Sequence, residues 1–312
     1  MSSITQPRII FIGTPEHSVP FLETLISSGY KPIAIVTQPD RAKGRSLKIE
    51  PTPVKEIGIA CDIPILQPEN INDSSSVAQL HALRPDLCIV VAYGQILKKE
   101  ILDLPVHGCI NVHFSLLPRH RGASPVEESI LSGDTKTGVT IMQMDSELDH
   151  GPVLVEQSIP IDAQDTTPLL RKKLERLGTS LLVGTIKKIF ENDISTTPQD
   201  ESIATYTRRL TRQSGRIDWQ RSATEIDRQI RALNPWPGTW TMCNGKRIKI
   251  LEASPQESGA NPSDRIGSFQ NHAIVCGAGS ILPQVIQMEG KRPTSMEEFT
   301  RGYQALLTQK CE

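Results

Sequence analysis

An amide and an imidazole two residues apart, Asn111 and His113, stand where the apolar run 109–114 gives way to the loop Ser115-Leu116-Leu117-Pro118. Side chains alternate faces along an extended strand, so these two share one surface while Val112 and Phe114 share the other. Both can donate hydrogen bonds to a carbonyl oxygen that becomes negative during attack, and the imidazole also moves protons near neutral pH. The pair equally suits a satisfied structural contact, so a third group is needed to make it a reaction centre. The loop that follows Met144 offers three carboxylates, Asp145, Glu147 and Asp149, whose alternative reading is a solvated acidic turn. A carboxylate beside an imidazole holds its protonated form. Amide, imidazole and carboxylate together suit acyl transfer without a covalent enzyme intermediate.

Strands alternating with helices must bring these groups together. The run 8–13 is apolar and ends in Gly13; Thr14-Pro15-Glu16 and helical periodicity over 19–26 follow, which predicts strand, turn and helix. That turn carries one glycine where a dinucleotide site needs the three of G-x-G-x-x-G, so NAD binding is not predicted. Further strands are predicted at 33–37, 63–66, 87–92, 109–113, 139–144 and 153–161, with helices at 74–83, 126–132 and 168–190 and another opened by Pro51 and Pro53. Such alternation predicts a largely parallel, Rossmann-like sheet with helices on both faces, whose ligands bind beyond the carboxyl ends of its strands. Tyr93-Gly94, the Asn111 and His113 pair and the acidic loop after 139–144 are all expected at that edge.

After residue 190 the pattern changes. Residues 191–202 are polar and proline-bearing, a linker composition. Short runs at 240–243, 247–251, 266–269, 273–276 and 281–287, with Asn244-Gly245 as a two-residue hairpin signal, predict a small OB-like β-barrel flanked by helices at 222–233 and 296–307. The expected organisation is an α/β domain over 1–190, a linker over 191–204 and a β-barrel domain over 205–312.

A chain of 312 residues accommodates two domains, and 38% hydrophobic with 22% charged residues describes an ordinary globular protein. No apolar run approaches the length that spans a bilayer, and residues 1–6 lack the basic and apolar regions of a secretory signal, so a cytoplasmic protein is expected. The cysteines at 61, 88, 109, 243, 276 and 311 form no C-x-x-C pair and read as small buried hydrophobes in a reducing compartment, with no metal site. Net charge is −1, but residues 205–312 hold 15 Lys and Arg against 10 Asp and Glu, while the first 204 hold 19 against 25. A basic C-terminal part suits a polyanionic partner and equally a solvated Arg-rich face. Trp219, Trp236 and Trp240 read as anchors packed at a domain junction rather than as base-stacking platforms.

Taken together, Asn111-x-His113-x-Ser115-Leu116-Leu117-Pro118, Arg121-Gly122 and Leu148-Asp149-x-Gly151 resemble the folate-dependent formyltransferase family. The likeness covers nearly the whole chain, through Phe11-Ile12-Gly13-Thr14-Pro15, Thr37-Gln38-Pro39-Asp40-Arg41, Val91-Ala92-Tyr93-Gly94, Gly138-Val139-Thr140-Ile141-Met142, Ile217-Asp218-Trp219 and Asn234-Pro235-Trp236-Pro237-Gly238. What the resemblance implies is transfer of the formyl group of 10-formyltetrahydrofolate to the α-amine of methionine on initiator tRNA, by a monomeric enzyme that uses no metal. It assigns Asn111 and His113 to the tetrahedral oxyanion, His113 and Asp149 to the proton lost by the amine, and Ser115 to fixing the loop. The folate is expected against main chain of Tyr93, Gly94, Gln95, Ile96 and Leu97, against Ser115, Leu116, Leu117 and Pro118, and against Met144 and Asp145. Arg41, Lys43, Arg45 and Lys48 resemble a basic loop that meets the tRNA acceptor stem, Arg45 foremost, with the basic C-terminal domain adding phosphate contacts.

Two positions depart from that pattern. Phe114 fills a slot often held by a small residue and is expected to pack away from the catalytic pair. His150 replaces a frequent Thr beside Asp149, either as a second titrating group or as a surface histidine. The same scaffold also accommodates formyl transfer to a nucleotide-sugar amine, hydrolysis of formyltetrahydrofolate, or RNA binding without turnover.

Overall fold

Runs of wholly apolar residues make the centre of a sheet that is covered on both faces, and Ile9–Gly13 and Leu87–Val91 are buried at every position. The computed structural model describes residues 6–43, 48–263 and 265–312. Chain order is β1 (Ile9–Gly13), α1 (Val19–Ser27), β2 (Ala34–Val36), β3 (Arg41–Lys43), β4 (Lys48–Glu50), α2 (Pro53–Ala60), β5 (Ile65–Leu66) and α3 (Ser74–Ala82). Then come β6 (Leu87–Val91), α4 (Lys99–Leu102), β7 (Cys109–His113), α5 (Pro125–Leu131), β8 (Lys136–Gln143), β9 (Val153–Pro160) and α6 (Thr167–Phe190). The sheet runs β5-β2-β1-β6-β7-β8-β9. Its first five strands are parallel, as the apolar runs predict, whereas β8 is antiparallel to β7. At the turn out of β1 the backbone passes so close to β6 that a Cβ on Gly13 would lie 2.9 Å from the Val91 carbonyl oxygen.

The basic stretch 38–48, expected as an open loop, holds the paired strands β3 and β4, with Arg41 opposite Glu50. Arg45 lies outside the described residues.

The second part of the chain comprises α7 (Ala223–Leu233), β10 (Thr239–Cys243), β11 (Lys246–Ala260), β12 (Phe269–Gln270), β13 (Ala273–Val275), β14 (Ala278–Met288), β15 (Thr294–Ser295), α8 (Met296–Gly302) and α9 (Gln304–Leu307). The capping box of Ser222 and Glu225 satisfies the first backbone donors of α7, which turns Ala223, Ile226 and Ile230 inward. They pack with Ile248, Ile250, Ile281, Ile286 and Phe299. Burial alternates along β14, one face in the core and one out. The sheet order is β10-β11-β14-β13-β12, with β15 added beside β14, and among the described residues no ladder joins β10 to β12, so it curls as a half-barrel. The Asn244-Gly245 turn carries φ of +49° and +70°, the pair of positive values that its two-residue hairpin requires.

Three expectations need correction here. β11 runs to Ala260, far past 247–251, because its second half is held by bulged pairing to β14 rather than by apolar alternation. The predicted helix 296–307 is two helices, parted where Tyr303 leaves helical geometry. Trp219 and Trp240 are buried, the first donating from Nε1 to Thr241 at 2.9 Å and the second stacked under Arg247, but Trp236 is 59% exposed in the turn after α7.

By its contacts the chain divides into two units. One runs through Gly122 and includes Thr137–Ile159 and Arg171–Tyr206; the other comprises Ala123–Lys136, Pro160–Leu170 and Thr207–Glu312. No helix among the described residues is long and apolar enough to cross a membrane. Phe299 is fully buried in the second core, so Phe299→Ala is expected to lower the unfolding free energy by about 3–5 kcal/mol, read from the shift in a urea unfolding midpoint.

Candidate active site

β7 delivers the amide and the imidazole to one face, as alternation requires. Asn111 is partly exposed and His113 only 5% exposed. On the opposite face, Phe114 packs against the rings of Phe21 and His17, with centroids 5.9 Å and 6.1 Å away, so its bulk points away from Asn111 and His113 as expected. Burial and the nearby Arg171 push His17 down to about 4, which keeps that ring neutral in its apolar setting.

The acidic loop reaches this face by a route that the strand pattern did not predict. Because β8 is antiparallel, its carboxyl end lies at the start of β7, where the Met144 N–H donates to the Cys109 carbonyl at 2.8 Å. The loop therefore leaves the sheet at the end opposite His113 and turns back, and Gln143 accepts no side-chain cover at Gly151: a Cβ there would lie 1.8 Å from the Gln143 carbonyl oxygen. Asp149 adopts φ +49° in this return, a conformation that a non-glycine residue takes at a cost of roughly 1–2 kcal/mol. Of the three carboxylates only Asp149 meets the pair. Its Oδ1 accepts from Asn111 Nδ2 at 3.4 Å, its Oδ2 lies 3.7 Å from His113 Nδ1, and that same oxygen accepts from the Gly122 N–H at 2.7 Å.

The other ring nitrogen of His113, Nε2, is 3.0 Å from the His120 carbonyl oxygen. A carbonyl only accepts, so Nε2 carries hydrogen and donates, and in the neutral ring Nδ1 keeps its lone pair toward Asp149. His120 itself sits at φ +61°, so the backbone that orients the imidazole is a second strained point. Sequence reasoning gave His120 no role; its contribution is a main-chain oxygen, which no side-chain pattern signals.

Among the described residues Arg121 is the largest wholly buried side chain, and all five of its N–H groups are used. Nε and Nη2 donate to Gln199 Oε1 at 3.1 and 2.8 Å, Nη1 and Nη2 to the two Glu201 oxygens at 3.0 and 2.6 Å, and Nη1 to the Tyr206 hydroxyl at 3.0 Å. Hydrogen bonding to Glu201 raises the Arg121 pKa, and the same contact holds Glu201 below the usual carboxylate range. Thr205 pairs with the same loop, accepting from the Arg121 N–H at 2.9 Å and receiving the His120 N–H on its hydroxyl at 2.8 Å. Residues 197–204, predicted to be linker, and Thr205 and Tyr206, predicted to open the second domain, thus bound the site.

The expected folate positions divide by what they expose. Tyr93 and Leu97 turn their side chains into the core, and burial pushes the Tyr93 hydroxyl up to about 12. Gln95 is engaged by Ile71, Pro68 and Glu69, while Ile96 stands 74% exposed. Among the described residues the N–H groups of Gln95, Ile96 and Leu97 make no internal hydrogen bond, so this main chain is what can meet a flat heterocycle with donor and acceptor edges. The Ser115 hydroxyl donates to the Arg119 carbonyl at 2.6 Å, and the Thr140 hydroxyl links the Ser115 carbonyl to the Leu117 N–H. Ser115, Leu117 and Pro118 are buried and Leu116 lies against Gly138, so this stretch shapes the loop. Of the basic residues, Arg41 is exposed and 3.7 Å from Glu69, and the side chains of Lys43 and Lys48 lie outside the described residues, as does Arg45. Among the described residues no cluster of three or more His, Cys, Asp and Glu is placed to hold a metal ion.

Asp145, expected at the folate, accepts from His150 Nδ1 at 2.6 Å, and His150 Nε2 lies 3.4 Å from Glu201. The hydrogen bond to Asp145 raises the His150 pKa above its ordinary 6.5. The folded state then binds the proton more tightly, so the stability contributed by His150 is full below pH 6.5 and is lost as pH rises through the raised value. An NMR titration of this ring is expected to show a midpoint above 6.5 that moves back toward it in Asp145→Asn.

Comparison with known proteins accounts for both parts of the chain. The formyl transferase family model matches residues 7–186, and the model of the formyl transferase C-terminal domain matches residues 209–304. A methionyl-tRNA formyltransferase of Geobacter sulfurreducens is 41% identical over 298 residues, covering 95% of this chain and 94% of that protein. One from Pelobacter propionicus is 43% identical over 295 residues, covering 94% and 92%. In fold, the chain is similar to the crystal structure of a sugar 3N-formyl transferase solved with dTDP and 5-N-formyl-THF, at a TM-score of 0.67 and 19% identity, over 92% of this chain and 100% of that one. The chain belongs to the formyl transferase family.

Proposed function

We infer that this chain transfers the formyl group of 10-formyltetrahydrofolate to the α-amine of methionine carried on initiator tRNA, the step that readies that tRNA to begin translation. The observation that carries the reading is identity of about 40% to methionyl-tRNA formyltransferases along almost the whole chain, together with the convergence of Asn111, His113 and Asp149 on one face.

In this mechanism the amine attacks the formyl carbon, the bond from that carbon to the folate nitrogen breaks, and the proton shed by the amine ends on the departing nitrogen. Asn111 Nδ2 has a second hydrogen beyond the one directed at Asp149, and it donates to the oxyanion as charge develops. His113 meets the substrate through Nδ1, because Nε2 is committed to the His120 carbonyl. A proton taken up at Nδ1 is held by Asp149 Oδ2, so the pair can carry the proton from the amine to the leaving nitrogen. Asp149 accepts from Asn111 Nδ2 and from the Gly122 N–H, which fixes the carboxylate while the ring changes charge. Folate is held by the main chain at 95–97 and by the loop that begins at Met144; no step needs a metal.

Recognition of tRNA falls to the basic residues of 41–48, with Arg45 the principal contact, and to the positive C-terminal domain over 205–312. Phosphate contacts of this kind set affinity and its salt dependence. Such an enzyme works in the cytoplasm as a monomer. Formyl transfer to a nucleotide-sugar amine is the rival on the same scaffold, and it has no use for either basic element.

Assays with the full-length protein separate these readings. Formyl transfer to charged Met-tRNA is expected, with none to free methionine or a nucleotide-sugar amine; the reverse preference overturns the assignment. Asn111→Ala, His113→Ala and Asp149→Ala are each expected to lower kcat by about 10²–10⁴-fold, and near-normal turnover in all three would remove them from the chemistry. Arg45→Ala is expected to raise KM for tRNA and to reduce the slope of log affinity against log salt by about one, leaving KM for folate unchanged.

A further inference from the structure

The side chain of Gln199 joins the loop that carries Asp149 to the loop that carries Arg121. Its Nε2 donates to the Asp149 carbonyl at 2.9 Å and to the Gly151 carbonyl at 2.7 Å, and its Oε1 accepts from Nε and Nη2 of Arg121. Every strong hydrogen-bonding position of the amide is used, two donated and two accepted. Its orientation is also unambiguous: a flipped amide would set oxygen against two carbonyl oxygens and NH₂ against a guanidinium.

The two loops so joined serve different members of the site. On one side lies the strained backbone of Asp149, at φ +49°, from which the carboxylate reaches Asn111 and His113. On the other lies Arg121, flanked by the His120 carbonyl that orients His113 and by the Gly122 N–H that fixes the Asp149 carboxylate. The segment that carries Gln199 is itself anchored at both ends. Thr197 exchanges backbone hydrogen bonds with Val153 at 2.8 Å each way, and Thr205 is paired with Pro118 and Arg121. Gln199 therefore does not swing with a free linker; it is a fixed brace between two loops whose separation sets the distance from Asp149 to His113.

We propose that Gln199 is a positioning residue for formyl transfer, holding the backbone of Asp149 so that its carboxylate stays in register with His113. This rests on the reading of Asp149 as catalytic, and the role predicts loss of turnover rather than of binding. A displacement of about 1 Å in a reacting group lowers rate by on the order of 100-fold.

The test compares wild type, Gln199→Ala, Gln199→Glu and Asp149→Asn as full-length proteins, in formyl transfer to charged Met-tRNA, with thermal unfolding measured alongside. Gln199→Ala is expected to lower kcat on the order of 10- to 100-fold with KM for both substrates within about twofold. Gln199→Glu keeps the acceptor for Arg121 but turns a carboxylate toward two carbonyl oxygens, so its kcat falls at neutral pH. On acidification its carboxyl gains an O–H that can donate to one of those carbonyls, so its rate relative to wild type rises, whereas the Gln199→Ala ratio stays flat. That recovery is a readout which simple loss of folding would not produce. Wild-type kcat in Gln199→Ala beside an inactive Asp149→Asn overturns the positioning role alone, as does a loss confined to KM. Full activity in Asp149→Asn overturns the catalytic reading on which it rests.

Discussion

A guanidinium without exposed surface has to have its charge and all its N–H groups met inside the protein, and the site is arranged around how Arg121 meets that demand. Removing one of its partners strands a buried donor that water does not reach. The requirement therefore pulls in polar groups from distant parts of the chain: Gln199, Glu201 and Tyr206, none of which can drift without stranding a donor. Because His120 and Gly122 are its chain neighbours, fixing Arg121 fixes the carbonyl that orients His113 and the N–H that holds Asp149. The demand of one buried charge thereby positions the imidazole and the carboxylate as well.

The sheet supplies the other half of the arrangement. Five parallel strands bring β7 to the side of β6 with its Asn and His on one face, and parallel order alone would send the next loop past the carboxyl end of its strand. Instead β8 runs backward. Its loop leaves at the start of β7 and returns over the face that bears Asn111 and His113, so the carboxylate approaches the imidazole from the side rather than from beyond the strand end. This return is tight, which explains both the positive φ at Asp149 and the absence of room for a side chain at Gly151.

How much of this was legible depends on the range of the physics involved. β7 could be read with its boundaries unchanged, because five consecutive residues with alternating roles are a local pattern. The first core strands were visible for the same reason, and so was the Asn244-Gly245 hairpin, whose two positive φ angles only a few residue types tolerate. The second half of β11 was not, since Pro255 and the polar residues around it carry no strand signal and are held by β14. Choosing Asp149 over Asp145 and Glu147 required a family resemblance: three acids two residues apart look alike until the loop's path is known. Gln199 and Glu201 were invisible, because a polar, proline-bearing stretch reads as linker whether or not a buried arginine lies beneath it, and Tyr206 was assigned to the second domain.

By itself the sequence determined the candidate amide, imidazole and carboxylates and the strand that aligns two of them, because residue identity and a period of two are local properties. It also determined the α/β character of the first part and the short antiparallel strands of the second, through apolar runs and turn residues. Only the tertiary structure decided how Asp149 reaches His113, which ring nitrogen is committed to the His120 carbonyl, and that Asp145 pairs with His150. Those outcomes rest on polar contacts between residues that are tens of positions apart, from His113 to Asp149 and from Arg121 to Gln199. Such contacts form only once the antiparallel turn of β8 and the buried charge of Arg121 have brought their partners within reach.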